Sequence, residues 1–422
     1  MNSRRILRIG PLLAVAFVGF TMSERVSAAS DAYEVWATDQ SGTAGRLFIY
    51  DGDDLTEEAQ TAMPEVVDLG GAVSAQCLAD TGTTPTRAHI LVFNASGTHA
   101  ILSYVATGHV VFMDAATRAP IECIDVGVQA HAAFPSPDER YLVVANQNGK
   151  KMHLIDTDYG TDTFTPAAVV DLVTGCNPTS VTPSTTNAGA ACEDAIRRPN
   201  NVIICPVIDS SSTLTFATLG GGGMFVYDTS NTSAPALVAE YEKAQISNNG
   251  CGGMQSNSQT AGRIDINAGG PPRGAHLYHL PADVAQYSAS NPANTPAPTV
   301  VFSDAVSNQD SHGMLLNRAM RGRYLWVGDR FTNAVEVVDT ALSGPASHVN
   351  TFSLVGQHSS DPAPDLMAIA PEGKHGFVAL RGPCPLTANS AGTNNSVGAT
   401  PGVGVIAIQR AGFTGKLVGV AP

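Results

Sequence analysis

The sequence of 422 residues is 43% hydrophobic and 14% charged, with 41 glycines, 26 prolines and a formal net charge of −14. Such a composition belongs to a turn-rich globular chain rather than a disordered one. The acidic balance argues against a nucleic acid or an anionic membrane surface as partner, since both require a basic face.

Residues 1–28 read as an export leader. Arg4, Arg5 and Arg8 form a basic start, an apolar run from Ile9 to Met22 follows, and Val26-Ser27-Ala28 supplies a small-residue cleavage site. The apolar run is too short to cross a bilayer, and no second apolar span appears, so no transmembrane segment is expected. Arg4-Arg5 followed by Ile6-Leu7 also resembles a twin-arginine signal, a route for folded and often cofactor-loaded proteins. The expected location is periplasmic or secreted.

Residues 29–422 read as one domain built from a repeated β unit. The first copy keeps EVWATDQSG and GRLFIYDG. The second enters at Arg87-Ala88-His89 and runs to Asp114. The third, at Gln129-Ala130-His131, is the clearest: a turn at Ser136-Pro137-Asp138-Glu139, the run Tyr141-Leu142-Val143-Val144, an Asn/Gly/Lys turn, and a last strand ending at Asp156. The fourth begins at Pro199-Asn200-Asn201 and ends at Asp228, with Gly220–Gly223 as a hairpin turn. A looser fifth starts at Gly250–Met254, the sixth at Ser311-His312, and the seventh at Pro364-Asp365. Seven units, each a small antiparallel sheet of about four strands, predict an all-β, seven-bladed β-propeller, the arrangement that leaves only short edges.

The seven cysteines all follow the leader. In an oxidising compartment Cys176 and Cys192 are expected to close the polar loop between them, a constraint of roughly 3 kcal/mol in the chain-entropy model. Cys205 falls in an apolar strand and is expected as a buried thiol. The polar stretches 176–198, 287–298 and 385–402 read as loops on the propeller faces.

The pattern carried by Phe134-Pro135-Ser136-Pro137-Asp138, Tyr141-Leu142-Val143-Val144-Ala145-Asn146 and Tyr324-Leu325-Trp326-Val327-Gly328-Asp329 resembles the bacterial propeller superfamily with YVTN-type repeats. That superfamily includes lactonase-like proteins, the propellers of haem-containing nitrite reductase and nitrous oxide reductase, and copper-dependent thiocyanate dehydrogenase. The resemblance covers nearly the whole chain beyond the leader and implies the fold; one scaffold carries many activities.

No Gly-x-Ser-x-Gly, phosphate-loop, His-Glu-x-x-His or Cys-x-x-Cys motif is present. The chemical signal is positional. Segments entering the innermost strands converge on the axis, and there the repeats hold His89, His131, Asn200 or Asn201, the Cys251 region, His312 and Asp365, with His358 and Asp310 near in sequence. Imidazoles with one or two carboxylates form a competent copper or zinc set. The reading is a copper-dependent oxidoreductase acting on a small molecule, with His89, His131, His312 and His358 as metal ligands, Asp365 and Asp310 as orienting or proton-accepting groups, and a periplasmic electron-transfer partner. A non-catalytic propeller binding a ligand or protein is the alternative. A lactonase-like hydrolase using calcium or another divalent ion, held by Asn200, Asn201, Asp310 and Asp365, is the third. His276 and His279 fall on one strand as no chelating pair, and His99, His348 and His375 read as turn or surface residues.

Overall fold

The computed structural model describes residues 33–40, 43–176, 192–247, 262–269, 275–292, 295–304, 309–317, 323–340, 345–383 and 397–422. Tyr33–Pro422 forms one compact unit. The expected leader lies outside the described residues, as does Gly250–Met254.

Within that unit the strands sort into seven antiparallel sheets, each drawn from one continuous stretch of chain. Blade 1 holds Glu34–Asp39, Arg46–Asp51 and Glu65–Asp68; blade 2 runs from Ala88–Phe93 to Pro120–Asp125, and blade 3 from Ala130–Pro135 to Thr163–Asp171. Blade 4 runs from Ile203–Ile208 to Ala236–Tyr241. Blade 5 holds Arg263–Gly269, Ala275–Pro281 and Thr299–Asp304, blade 6 runs from Ser311–Asn317 to Ser347–Ser353, and blade 7 from Pro364–Ile369 to Thr414–Ala421. The seven-bladed propeller expected from the repeats is present, with five blades of four described strands and blades 1 and 5 of three.

In blade 5 the register shift between Leu277 and Tyr278 matches the shift between the third and fourth strands of blades 2, 3, 4, 6 and 7, for instance Phe112/Met113 and Val337/Val338. Its described strands are therefore the second to fourth. Blade 1 is alike: Thr38 donates to the carbonyl of His89 as Ser103, on the second strand of blade 2, donates to that of His131.

The middle strands are buried on both faces because every blade is covered on both sides by its neighbours. In Tyr141–Asn146, alternate residues Tyr141, Val143 and Ala145 pack toward blade 4, while Leu142 and Val144 pack toward blade 2. Apolar clusters fill each blade junction in turn, including the one that closes the ring, where Tyr50 and Leu55 of the first blade meet Phe377, Val405 and Val418 of the last. Tyr50 Oη also donates to the carbonyl of Pro422. The junction of blades 6 and 7 is set by Trp326, fully buried, whose indole Nε1 donates to Gly412 O at 2.8 Å. Gly222 and Gly223 adopt φ of 92° and 89° in the tight turn from Leu219 to Met224, the hairpin expected of the glycine run.

Cys176 and Cys192 are bonded as expected, and a second disulfide joins Cys77, on the helix Ala72–Thr81, to Cys123 on the outermost strand of blade 2. Cys205 is also disulfide-bonded, with a partner outside the described residues. This corrects the expectation of a buried thiol: Cys205 is fully buried in an apolar strand, and burial alone does not tell a bonded sulfur from a free one. His99 is corrected as well. It starts a strand, is 5% exposed, and its Nε2 meets Asp162 at 2.9 Å.

Candidate functional site

In blades 2, 3, 4, 6 and 7 the innermost strand makes one ladder pair with its neighbour, slips, and resumes. The slips fall between Ala88 and Leu91, Ala130 and Ala132, Ile203 and Pro206, Ser311 and Met314, and Pro364 and Met367. A bulge releases a residue from the ladder and re-aims its side chain. The second residue of each of these strands is thus His89, His131, Ile204, His312 and Asp365. The innermost strands of blades 2 and 3, 3 and 4, and 6 and 7 lie side by side, so this repeat position gathers around the axis.

His89 and His131 are neighbours, with ring centroids 4.8 Å apart. Each has its Nδ1 engaged. The amide nitrogen of Gln40 reaches His89 Nδ1 at 2.7 Å, and His131 Nδ1 meets the carbonyl of Ile204 at 2.8 Å. With Gln40 donating, His89 keeps its proton on Nε2. His131, donating from Nδ1 to a carbonyl, keeps a lone pair on Nε2. Burial, reinforced by the neighbouring imidazole, pushes His89 well below the ordinary histidine range, and burial pushes His131 down to about 4. Both rings are neutral at physiological pH, one presenting a donor and the other an acceptor.

His312 Nε2 lies 2.9 Å from Asp365 Oδ1. The other carboxylate oxygen takes Arg381 Nη1 at 2.5 Å and lies 3.5 Å from Arg330 Nη1. Arg330 is held in turn by Asp310 at 2.6 Å. Although burial opposes it, the His312 imidazole bonded to it and the Arg330 and Arg381 guanidiniums hold the Asp365 carboxyl well below the usual carboxylate range. The same groups reach the histidine pair: Asp365, Arg381 and His312 act on His89, and His312, Asp365 and Arg330 on His131. Three imidazoles, two carboxylates and two guanidiniums thus form one electrostatic unit. Arg330 is 5% exposed, and its Nη1 is buried with no hydrogen-bond partner.

Of the residues expected at the axis, His89, His131, His312 and Asp365 are brought together, and Asp310 joins them through Arg330. His358 lies half-buried on a bend beyond the blade 6 sheet, and nothing ties it to the cluster. In blade 4 the repeat position belongs to Ile204 rather than to Asn200 or Asn201, which lie three and two residues before the observed strand. Asn200 is exposed, while Asn201 is buried and donates its amide to Leu172 O at 2.7 Å. The Asn and Asp set expected for calcium does not fit such an ion. Its carboxylates, Asp310 and Asp365, are ion-paired to guanidiniums. Among the described residues no three or more His, Cys, Asp or Glu side chains form a metal-holding group.

Arg330, Arg381 and Gln40 were missed in the sequence. All three occupy one repeat position, the residue directly after a second strand: Asp329-Arg330, Leu380-Arg381 and Asp39-Gln40. That strand end pairs with the start of the innermost strand, as in Ser311 with Asp329 and Pro364 with Leu380, which carries the following side chain to the axis. The signal for them is an arginine directly after an apolar second strand, as in YLWVGDR and GFVALR.

No family model and no curated protein matches the chain. Solved structures do. A periplasmic gluconolactonase of Pseudomonas aeruginosa is similar over 93% of this chain and 97% of its own, with 12% identity and a TM-score of 0.55. A candidate 6-phosphogluconolactonase of Bacteroides uniformis matches over 91% and 94%, with 14% identity and a TM-score of 0.56. The WD40 domain of Toxoplasma gondii coronin matches over 82% and 75%, with 9% identity and a TM-score of 0.52. Identities this low speak for architecture alone, and on that ground the chain is a seven-bladed β-propeller that shares its fold with bacterial gluconolactonase structures.

Proposed function

We propose that the axial cluster is the active site of a lactonase-like hydrolase acting on a small cyclic ester. The carrying observation is the His312–Asp365 pair at 2.9 Å, set against two guanidiniums and two neutral imidazoles. A carboxylate that accepts from Nε2–H fixes the tautomer of His312 and leaves the lone pair on Nδ1, the arrangement that equips an imidazole as general base toward a water molecule. Attack of that water on the ester carbonyl develops an oxyanion. Arg330, whose Nη1 has only the long 3.5 Å contact with Asp365 among the described residues, and the Nε2–H of His89 are donors suited to it. The likeness to the Pseudomonas aeruginosa gluconolactonase supports this reading by the chemistry of that protein's name. The Cys77–Cys123 and Cys176–Cys192 disulfides support an oxidising, extracytoplasmic setting, and no described helix is long and apolar enough to cross a membrane.

The test is a pH-stat assay of the chain from Ala29 onward against five- and six-membered sugar lactones. Hydrolysis above the spontaneous rate, lowered at least a hundredfold in His312→Ala, is expected. Full activity in His312→Ala, or none toward any lactone, counts against the reading, and the latter outcome moves the site to a non-catalytic binding propeller.

The His89–His131 pair favours a second reading, a copper-dependent oxidoreductase. Histidines whose Nδ1 is tied to a carbonyl or amide present Nε2 to a metal. His131 does so directly, and His89 would once the Gln40 amide is turned so that its oxygen accepts from Nδ1. Copper bound there would supply one-electron chemistry and call for a periplasmic electron-transfer partner. About one copper per chain in elemental analysis, lost in His131→Ala, is the expected result; copper content unchanged in that variant would refute it.

A further inference from the structure

The innermost strands have a second end. Blade 2's continues from His89 to Phe93, and blade 3's from His131 to Pro135, which places their far ends about 13 Å along the axis at roughly 3.3 Å per residue. There Trp36, Phe93, Phe134, Ile208, Ile369 and Phe377 wall a cup of about 360 Å³. The volume lies in the range of small-molecule sites, about 300–1,000 Å³.

The cup's chemistry is the opposite of the cluster's. Its one carboxylate, Glu34, is already committed: Oε2 accepts from Trp36 Nε1 at 2.8 Å and Oε1 is bound by Arg118 at 2.5 Å. Tyr33, also on the wall, is held neutral, its phenol pushed up to about 12 by burial and by Glu372. Among the described residues no side chain of the wall is left to neutralise a charged ligand. The cup is open to solvent at Ala368, which is exposed, and at the half-buried Val92, Phe93 and Ile369.

We propose that this cup is a second binding site, separate from the His312 cluster, for a small uncharged aromatic or alicyclic molecule. Aromatic walls with offset and edge-on faces take up such rings, and burial of their apolar area supplies the affinity.

The experiment titrates N-phenylnaphthylamine, an uncharged fluorophore, into the chain from Ala29 onward. Saturable binding at one molecule per chain is expected, with quenching of Trp36, one of two tryptophans in the sequence. Ala368→Phe plugs the cup from an exposed position and should weaken binding at least tenfold; Ala368→Leu, a smaller plug, should weaken it less. His312→Ala should leave it unchanged, which separates this site from the proposed catalytic one. Unchanged circular dichroism and melting temperature show that both Ala368 variants stay folded. Absence of saturable binding, as would follow if the chain's own leading residues fill the cup, or full binding in Ala368→Phe, overturns the proposal.

Discussion

Mild acid should destabilise this propeller through His131, and the size of the effect can be worked from its surroundings. In the unfolded chain the imidazole titrates near 6.5, whereas in the fold burial pushes it down to about 4. Between those values the unfolded state binds the proton and the native state does not, so stability rises with pH. His131 therefore costs nothing above pH 6.5 and draws stability away as the pH falls toward 4. At pH 5 the two binding curves differ by about 2 kcal/mol, with a ceiling near 3 kcal/mol at lower pH. His89 is shifted in the same direction and adds to the loss. The assay is urea unfolding followed by tryptophan fluorescence at several pH values from 7.5 to 5, for the wild type and for His131→Gln. A glutamine amide can still donate to the Ile204 carbonyl but carries no titrating proton. The variant should gain about 2 kcal/mol on the wild type between pH 7.5 and pH 5. Parallel pH profiles would refute a neutral His131 in the fold.

Asp365→Asn should cost about 3–5 kcal/mol in chemical denaturation, because it leaves Arg330 and Arg381 without the carboxylate they share in a buried site. A loss below about 1 kcal/mol would mean that the cluster is open to water. The paired change Cys77→Ser with Cys123→Ser, which frees a closure spanning 46 residues, should cost about 4 kcal/mol in the chain-entropy model. A melting temperature unchanged from the wild type would show that the packing of helix Ala72–Thr81 on blade 2 suffices without the covalent link.

The fold was legible because it is written locally. Turn residues such as Ser136-Pro137-Asp138, doubly buried runs such as Tyr141–Asn146, and a closing Asp recur along the chain, and each blade is built from its own consecutive strands. The site was legible where one repeat position carries the chemistry: His89, His131, His312 and Asp365 occupy equivalent places in four blades. It was illegible where position depends on register. In blade 4 the innermost strand starts only at Ile203, so the axial place falls on Ile204 rather than on Asn200 or Asn201, and no local propensity marks that start. The guanidiniums were hidden for another reason. Arg330 and Arg381 follow apolar second strands, where an arginine is ordinarily a solvated strand end, and what holds them inside is Asp310 and Asp365, carboxylates at the start of innermost strands well separated from them in the chain. Likewise, nothing in the sequence distinguishes a disulfide cysteine in an apolar strand, such as Cys205, from a buried thiol.

The way the ring closes has a kinetic side. Among the described residues no strand of the first blade is lent to the last sheet, or the reverse; the seam is made by side chains such as Tyr50, Leu55, Phe377 and Val418 and by the tyrosine hydroxyl on Pro422, a contact between residues 372 apart. Every other step of assembly joins neighbours in the chain, so loop-closure entropy is met in small instalments until that one contact. The seam is thus the last junction to form and the weakest in topological terms. Truncation of Tyr50 or Phe377 at this seam therefore acts on closure of the ring while leaving each blade's own strand ladder intact.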